Sequence, residues 1–157
     1  MSRKLASIKK KTIAYSFPYN SITVVKFLNN LMYDGKKSTA EKILLKTFKN
    51  LKRITNKDPH KVFIDAVDNT KPLISLKSIR IGGTSYQIPM ETSPQKQLSQ
   101  AIKFIIASAR SRNGHKMEDK LTNEILDCYN NQGISIKKKE EIHKSAEANR
   151  AYAHFRW

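Results

Sequence analysis

The side chains of this sequence that could do chemistry are chiefly cations placed beside short glycine turns. Gly35, Lys36 and Lys37 precede Ser38, in an order similar to a nucleotide-binding loop. Such a loop needs a glycine five residues earlier, where Asn30 stands, and a Ser or Thr where Lys37 stands. We therefore expect no nucleotide site. The two ammonium groups beside a helix N-terminus could instead hold a phosphate, which we favour over a merely solvated turn.

The residue types that serve catalysis or bind metals are scattered along the chain. His60, His115, His143 and His154 form no His-Glu-x-x-His motif, and the thirteen acids show no carboxylate pair at metal spacing. No nucleophile elbow is present either. The sequence therefore predicts no enzyme, no cofactor and no metal site. The single cysteine, Cys128, cannot form an internal disulfide, which indicates a reducing compartment.

The charge balance of the chain points to a polyanionic partner. Thirty lysines and arginines face thirteen acids among 157 residues, which gives a net charge of +17, and the first acid is Asp34. Like charges repel in a compact state, whereas phosphate contacts remove that cost and release counterions. Nucleic acid is therefore the expected partner. No apolar run approaches the roughly 20 residues of a membrane span, so we expect no membrane partner.

Two helices are predicted on either side of the Gly-Lys-Lys turn, after a basic arm over residues 1–20. Their apolar residues recur at helical spacing. They are Val24, Phe27, Leu28 and Leu31 in the first helix, and Ala40, Ile43, Leu44, Thr47, Phe48 and Leu51 in the second. Ser38 and Glu41 fit a capping box at the start of the second helix. The turn between the helices should therefore point its cations outward.

Four more helices are predicted from their caps and apolar spacing. The N-cap and first helical residues are Asp58 and Pro59 for the third helix, and Ser93 and Pro94 for the fourth. Gly133 is predicted to close the fifth helix, and the sixth is predicted to begin near Lys138 to Glu141. The fold class is thus mainly α. Residues 21–157 should form a single domain of about six helices, with a protruding two-stranded β-hairpin between helices 3 and 4.

The hairpin is predicted over residues 73–91, where polarity alternates on both sides of a glycine pair, Gly82-Gly83. Lys77 and Arg80 precede the pair, and Tyr86 follows it. A narrow hairpin that carries cations and an aromatic ring is suited to insertion along a nucleic-acid groove or a single strand. An ordinary hairpin turn without a contact role is the alternative.

Two further groups of cations are predicted at helix ends. Arg110 and Arg112 lie at the end of the fourth helix, where cations are favourable in any case. Lys137, Lys138 and Lys139 are predicted at the start of the sixth helix, where the helix dipole opposes them. An external anion would explain cations placed against that preference.

Three long motifs, in this order, resemble small-subunit ribosomal protein seven of the bacterial or organellar type. They run over Leu31–Glu41, Lys77–Glu91 and Lys137–Trp157. The resemblance covers nearly the whole chain. It implies a helical domain with a protruding hairpin that binds the 3′ major domain of small-subunit rRNA directly and helps to organise the head. It also implies a place in the small ribosomal subunit of a bacterial cytoplasm, a mitochondrion or a plastid.

The resemblance further implies which residues face RNA. By motif position these are Lys36, Lys37, Arg80, Gly82, Gly83, Arg110, Arg112, Lys137, Lys138, His143, Arg150 and Arg156. Charge and position add Arg3, Lys4, Lys9, Lys10 and Lys11 of the arm, together with Lys77 and Lys139. The hairpin residues Gly82, Gly83, Thr84 and Tyr86 are expected near the mRNA exit path and the exit-site tRNA. Neighbouring head and platform proteins are the other implied partners.

A basic helical protein that binds or compacts DNA is the alternative function. Such a protein would use a recognition helix and usually a dimer interface. The apolar faces of the predicted helices all look committed to one core, so the sequence predicts no obligate homo-oligomer.

Overall fold

A computed structural model describes residues 21–155. It contains six α-helices, one two-stranded sheet and a final 3-10 helix. The bounds are α1 Ile22–Leu31, α2 Lys37–Thr55, α3 Pro59–Thr70, β1 Ile74–Ile81, β2 Thr84–Glu91, α4 Pro94–Ser111, α5 Met117–Tyr129, α6 Ile134–Ala148 and the 3-10 helix Arg150–Phe155. The predicted mainly α fold, with its hairpin between the third and fourth helices, is therefore confirmed. The predicted arm, Arg156 and Trp157 lie outside the described residues.

The core forms where the apolar faces of α1 to α5 meet. Phe63 of α3 lies at its centre, and its ring makes edge contacts with Phe27, at 5.1 Å between centroids, and with Phe48, at 5.6 Å. The apolar faces predicted for the first two helices are turned into this cluster, and α3, α4 and α5 complete it. Burial of these faces supplies most of the driving force for folding and fixes where each interhelical turn emerges.

The turn before α2 differs from the prediction. Its backbone amide at Lys36 donates to the carbonyl oxygen of Tyr33 over 3.0 Å, and the helix starts directly at Lys37. Ser38 is therefore the second helical residue and makes no side-chain cap bond. The predicted capping box is wrong because the tight turn carries the chain into the helix before Ser38. By contrast, Asp58 caps α3 as predicted, and its carboxylate accepts from the amide of His60.

The junction between α5 and α6 corrects two further predictions. Asn131, not Gly133, takes the left-handed conformation after α5, with φ of +57°. The amide of Gln132 donates to the carbonyl oxygen of Asp127, and the amide of Asn131 donates to that of Cys128, which is a Schellman motif. Gly133 instead precedes α6, which begins at Ile134, before the predicted start near Lys138.

The hairpin is antiparallel and has a two-residue turn. Ile81 pairs with Thr84 around Gly82 and Gly83, which both have positive φ, as a type I′ turn requires. Near the base, the side chain of Ile88 is fully buried. The base packs against α6 and the 3-10 helix, whereas the residues around the turn are exposed. The strands therefore project a solvent-exposed tip from a fixed base.

Within residues 21–155, no helix combines the length and the apolar character needed to cross a membrane.

Candidate nucleic-acid interface

The turn between α1 and α2 lies beside the C-terminal end of α4. A guanidinium nitrogen (Nη2) of Arg110 lies 3.3 Å from the carbonyl oxygen of Leu31, the last residue of α1, and donates to it. A depression of about 240 Å³ between these helices is lined by Asn30, Lys103 and Arg110, among others. Lys103 and Arg110 of α4 thus lie beside the end of α1, from which the chain enters the turn that carries Lys36 and Lys37. We call Tyr33, Lys36, Lys37, Lys103 and Arg110 the turn patch.

The lysines of the turn patch are available to a partner. Lys36 is exposed and makes no ion pair with any residue of the described part of the chain. Lys37 lies 3.8 Å from Glu41, one helical turn further on, and both side chains are accessible to solvent. Such a surface pair contributes little stability, so a phosphate can compete for the lysine.

A second basic surface is the loop between α4 and α5. A depression of about 380 Å³ is lined there by Asn113, Gly114, His115, Lys116 and Lys120, among others. Asp119 lies in the same lining and reduces the positive potential. The loop therefore offers cations around a concave surface that could receive a phosphate or a ribose.

Arg112, at the start of that loop, is held by acids of the protein itself. It pairs with Asp127, and its Nε atom lies 2.6 Å from Oε2 of the fully buried Glu124. Burial acts to lower the pKa of the guanidinium, but the hydrogen bonds to Asp127 and Glu124 outweigh it and raise that pKa. Two carboxylates therefore already neutralise this cation, and its predicted contact with RNA stays a prediction.

The two predicted cations of the hairpin lie in different places, one near the turn and one nearer the base. Arg80 lies near the turn, where its Nε atom donates to the carbonyl oxygen of Gly83 over 3.4 Å. Lys77 lines a cleft of about 490 Å³ between the hairpin base and α4, together with Lys96 and Glu91. The glycine turn itself is fully open, because nothing lies within 4 Å of where a side chain would begin.

The predicted aromatic residue of the hairpin packs against the 3-10 helix. The ring of Tyr86 lies 5.2 Å from that of Tyr152 in the 3-10 helix, measured between centroids. The contact holds the C-terminal segment against the second strand. Of the hairpin residues predicted near tRNA and mRNA, Gly82, Gly83 and Thr84 are thus exposed, and Tyr86 is half-buried.

The three lysines of α6 lie one turn inside the helix. The helix begins at Ile134, so Lys137, Lys138 and Lys139 follow its first three residues. The prediction that the helix dipole opposes these three lysines is therefore wrong, because the dipole acts mainly on the first turn. Lys139 donates to the carbonyl oxygen of Asn69 over 2.6 Å and ties α6 to α3. Lys137 is exposed and Lys138 is half-buried.

His143 of α6 fastens the hairpin base. Its Nε2 atom accepts a hydrogen bond from the backbone amide of Leu73 over 3.2 Å. Partial burial, and then the charge of Lys139, lower the pKa of His143. An imidazole that accepts at Nε2 must be unprotonated there, and the lowered pKa favours that form. Arg150, just beyond α6, lies 3.2 Å from Glu147 in an exposed pair.

Comparison with known proteins assigns the chain to a family. The sequence model of the family described as "Ribosomal protein S7p/S5e" matches residues 2–150. The chain belongs to this family. As a member of the S7p/S5e family it is a ribosomal protein of the small subunit, and the family is not one of enzymes.

Relatives of mitochondrial and bacterial type match over the full length. The small ribosomal subunit protein uS7m of Reclinomonas americana is 48% identical over 100% of this chain and 99% of its own length. The small ribosomal subunit protein uS7 of Petrotoga mobilis is 45% identical over 100% of both chains. That of Treponema denticola is 44% identical over 94% of this chain and 95% of its own length.

Sequence reasoning about this S7p/S5e member overlooked several residues of the basic surfaces. Lys96, Lys103, Lys116 and Lys120 each line a depression together with residues from another part of the chain or from the same loop. None of them stands in a cluster of cations in the sequence. Lys96, Lys116 and Lys120 lie near helix ends and Lys103 lies in the middle of α4, so the fold was needed to show which surface each of them joins.

Two observations on the described residues of this S7p/S5e member concern metal ligands and the cysteine. No group of three or more metal-ligating side chains occurs within residues 21–155. Burial raises the pKa of the Cys128 thiol to about 11, so this cysteine stays protonated and poorly nucleophilic near neutral pH.

Protonation of His143 is expected to loosen the hairpin base. The pKa of His143 is lower in the folded chain than its ordinary value of 6.5, so the unfolded chain binds the proton more readily. The hydrogen bond contributes roughly 1 kcal/mol above about pH 6.5, and this stability is lost as the pH falls through the lowered pKa. The measurement is the free energy of urea unfolding near pH 7.5 and near pH 5.

The control for this pH effect is His143→Ala, measured at the same two pH values. Since the other histidines titrate in both proteins, only the difference between them reports on His143. The unaltered chain should lose more stability than the variant on acidification. Equal losses would contradict the role assigned to His143.

Proposed function

We propose that the chain binds the 3′ major domain of small-subunit rRNA directly and helps to organise the head of the subunit. The observation that carries the proposal is the hydrogen bond from Arg110 of α4 to the last carbonyl oxygen of α1, shortly before the turn that carries Lys36 and Lys37. A rigid helical core thereby holds cations from separate segments in fixed positions. Such an arrangement suits a folded RNA, whose phosphates are themselves fixed in space.

Phosphate neutralisation would supply most of the affinity. The net charge is +17, and Lys36, Lys77, Lys137 and Lys138 make no ion pair within the described residues. Each lysine that meets a phosphate releases condensed counterions. We further propose that Arg3, Lys4, Lys9, Lys10 and Lys11 of the arm add phosphate contacts of the same kind.

The hairpin would serve a different part of the subunit. We propose that its tip lies near the mRNA exit path and the exit-site tRNA, with Gly82, Gly83 and Thr84 closest to them. Their exposure, and the packing of the hairpin base on α6, support a tip that reaches away from the core. The faces of the domain beside the tip would then meet neighbouring proteins of the head and platform.

Affinity for an rRNA fragment of the 3′ major domain is expected to fall steeply with salt. Each phosphate contact adds roughly 0.7 to 0.9 to the slope of log affinity against log salt concentration. For about six contacts, affinity should fall roughly 1,000-fold between about 50 and 200 mM salt. Fluorescence anisotropy of a labelled fragment over a salt series measures this slope.

Competition with duplex DNA of equal length separates rRNA binding from general polyanion binding. The proposal expects the rRNA fragment to be retained when unlabelled DNA is present in excess. An affinity that does not depend on salt would overturn the electrostatic proposal. Equal competition by DNA would favour the DNA-binding alternative.

A further inference from the structure

We propose that Tyr33 stacks on an unpaired RNA base, beside the phosphates held by Lys36 and Lys37. The inference rests on the proposed rRNA-binding function and adds a base contact to it. The ligand would be a single unstacked nucleotide of a loop or bulge, since the bases of a continuous helix already stack on one another.

The backbone of the turn presents Tyr33 and Lys36 together. The amide of Lys36 donates to the carbonyl oxygen of Tyr33 over 3.0 Å, and Asp34 and Gly35 between them have φ of +50° and +72°. This is a tight turn of the type I′ kind, in which the first and last Cα atoms lie within about 7 Å. The backbone positions that carry the aromatic ring and the ammonium group are therefore held close together.

The ring of Tyr33 is unusually open to solvent. It is 71% exposed, more than any other exposed large apolar or aromatic side chain in the described part of the chain. It makes no ring contact or hydrogen bond with another side chain there. An exposed aromatic ring gains free energy when a flat partner covers it, and every base has such a face.

The charges around Tyr33 match a nucleotide. Lys36 and Lys37 follow Tyr33 in the chain, and Arg110 donates to the carbonyl oxygen of Leu31, two residues before it. Phosphates next to a stacked base would thus find cations close to Tyr33. Asp34 in the same turn would repel a further phosphate, but its carboxylate could accept a hydrogen bond from an amino group of the base. The turn therefore suits a base between phosphates better than a phosphate alone.

The test compares Tyr33→Ala, Tyr33→Phe and the unaltered chain on the same rRNA fragment. Loss of one stacked base should weaken binding roughly 5- to 150-fold for Tyr33→Ala, whereas Tyr33→Phe should stay within about twofold. Neither variant removes a charge, so the slope of log affinity against log salt concentration should not change. Ile54→Ala, at a position 52% exposed near the other end of α2, is the matched control and should bind normally.

The outcomes separate this inference from the proposed function. If the unaltered chain binds with a steep salt slope and Tyr33→Ala binds equally well, stacking is rejected and the rRNA-binding proposal stands. If Tyr33→Phe loses as much as Tyr33→Ala, the contact is a hydrogen bond of the hydroxyl group and the stacking proposal fails. If the unaltered chain does not bind the fragment, the proposed function itself fails. Thermal unfolding of each variant checks that the fold is unchanged.

Discussion

Replacement of Glu124 by alanine is expected to lower the free energy of unfolding by about 3 kcal/mol or more. Glu124 lies on α5 with no solvent exposure, between the end of α4 and the start of α6. Its Oε2 atom accepts from Arg112 over 2.6 Å, and its Oε1 atom accepts from the amide and the hydroxyl of Ser135 over 3.1 and 2.5 Å. One carboxylate thus joins three helices.

The large effect is expected because the substitution would leave buried hydrogen-bond donors without an acceptor. The amide and hydroxyl of Ser135, which is itself fully buried, would lose their acceptor, and Arg112 would keep only Asp127 as a partner. Buried donors without acceptors cost about 1 to 3 kcal/mol each, more than the bond contributed when made. Because α6 starts at this point, its lysines should also lose their fixed position against the core.

Two variants test this explanation by equilibrium urea unfolding. Glu124→Gln keeps the shape but places an amide donor against donors, so it should still cost about 2 kcal/mol. Asp127→Ala removes the other acid that pairs with Arg112, but that side chain is 39% exposed and should cost less than about 1 kcal/mol. If Glu124→Ala and Asp127→Ala had equal small effects, the buried network would not be a source of stability.

The sequence predicted most of the helical fold because apolar periodicity is a local signal that burial then enforces. Phe27 and Phe48 are predicted on the inward faces of the first two helices, and in the core their rings both contact the ring of Phe63. Helix ends were harder, since several turn residues compete to end a helix. Both Asn131 and Gly133 have positive φ, and it is the Schellman hydrogen bonds to Asp127 and Cys128 that place Asn131 at the end of α5, whereas Gly133 precedes α6.

The exposure of cations that cluster in a turn could be predicted from the sequence. Whether a cation is paired with an acid from another helix could not, because tertiary contacts determine that pairing. Lys36 and Lys37 emerge on an interhelical turn as expected. Arg112 looked equivalent to Arg110 in the sequence, but it lies against two acids contributed by α5. Glu124 gave no signal at all, because a carboxylate on a helix is usually solvated. Pairing over a separation of 12 residues, such as that between Arg112 and Glu124, is invisible to periodicity.

Replacement of both Lys36 and Lys37 by alanine is expected to weaken binding to the rRNA fragment by about 150-fold or more, since each of the two hydrogen bonds to a charged group contributes about 1.5 to 3 kcal/mol. The slope of log affinity against log salt concentration should fall by roughly 1.4 to 1.8, because two phosphate contacts are lost. Stability should hardly change, as both side chains are exposed and Lys37 makes only a surface pair with Glu41.

The matched control also removes two positive charges, but at positions outside the turn patch. Lys49 and Lys61 are exposed on α2 and α3 and make no ion pair within residues 21–155. Their double replacement by alanine should leave the salt slope nearly unchanged, because charges beyond about 8 to 10 Å from a phosphate are screened at physiological salt. If this control weakened binding as much as the Lys36 and Lys37 variant, affinity would follow net charge alone. A selective loss would instead assign the contact to the turn patch, in which Arg110 donates to the end of α1 shortly before the same two lysines.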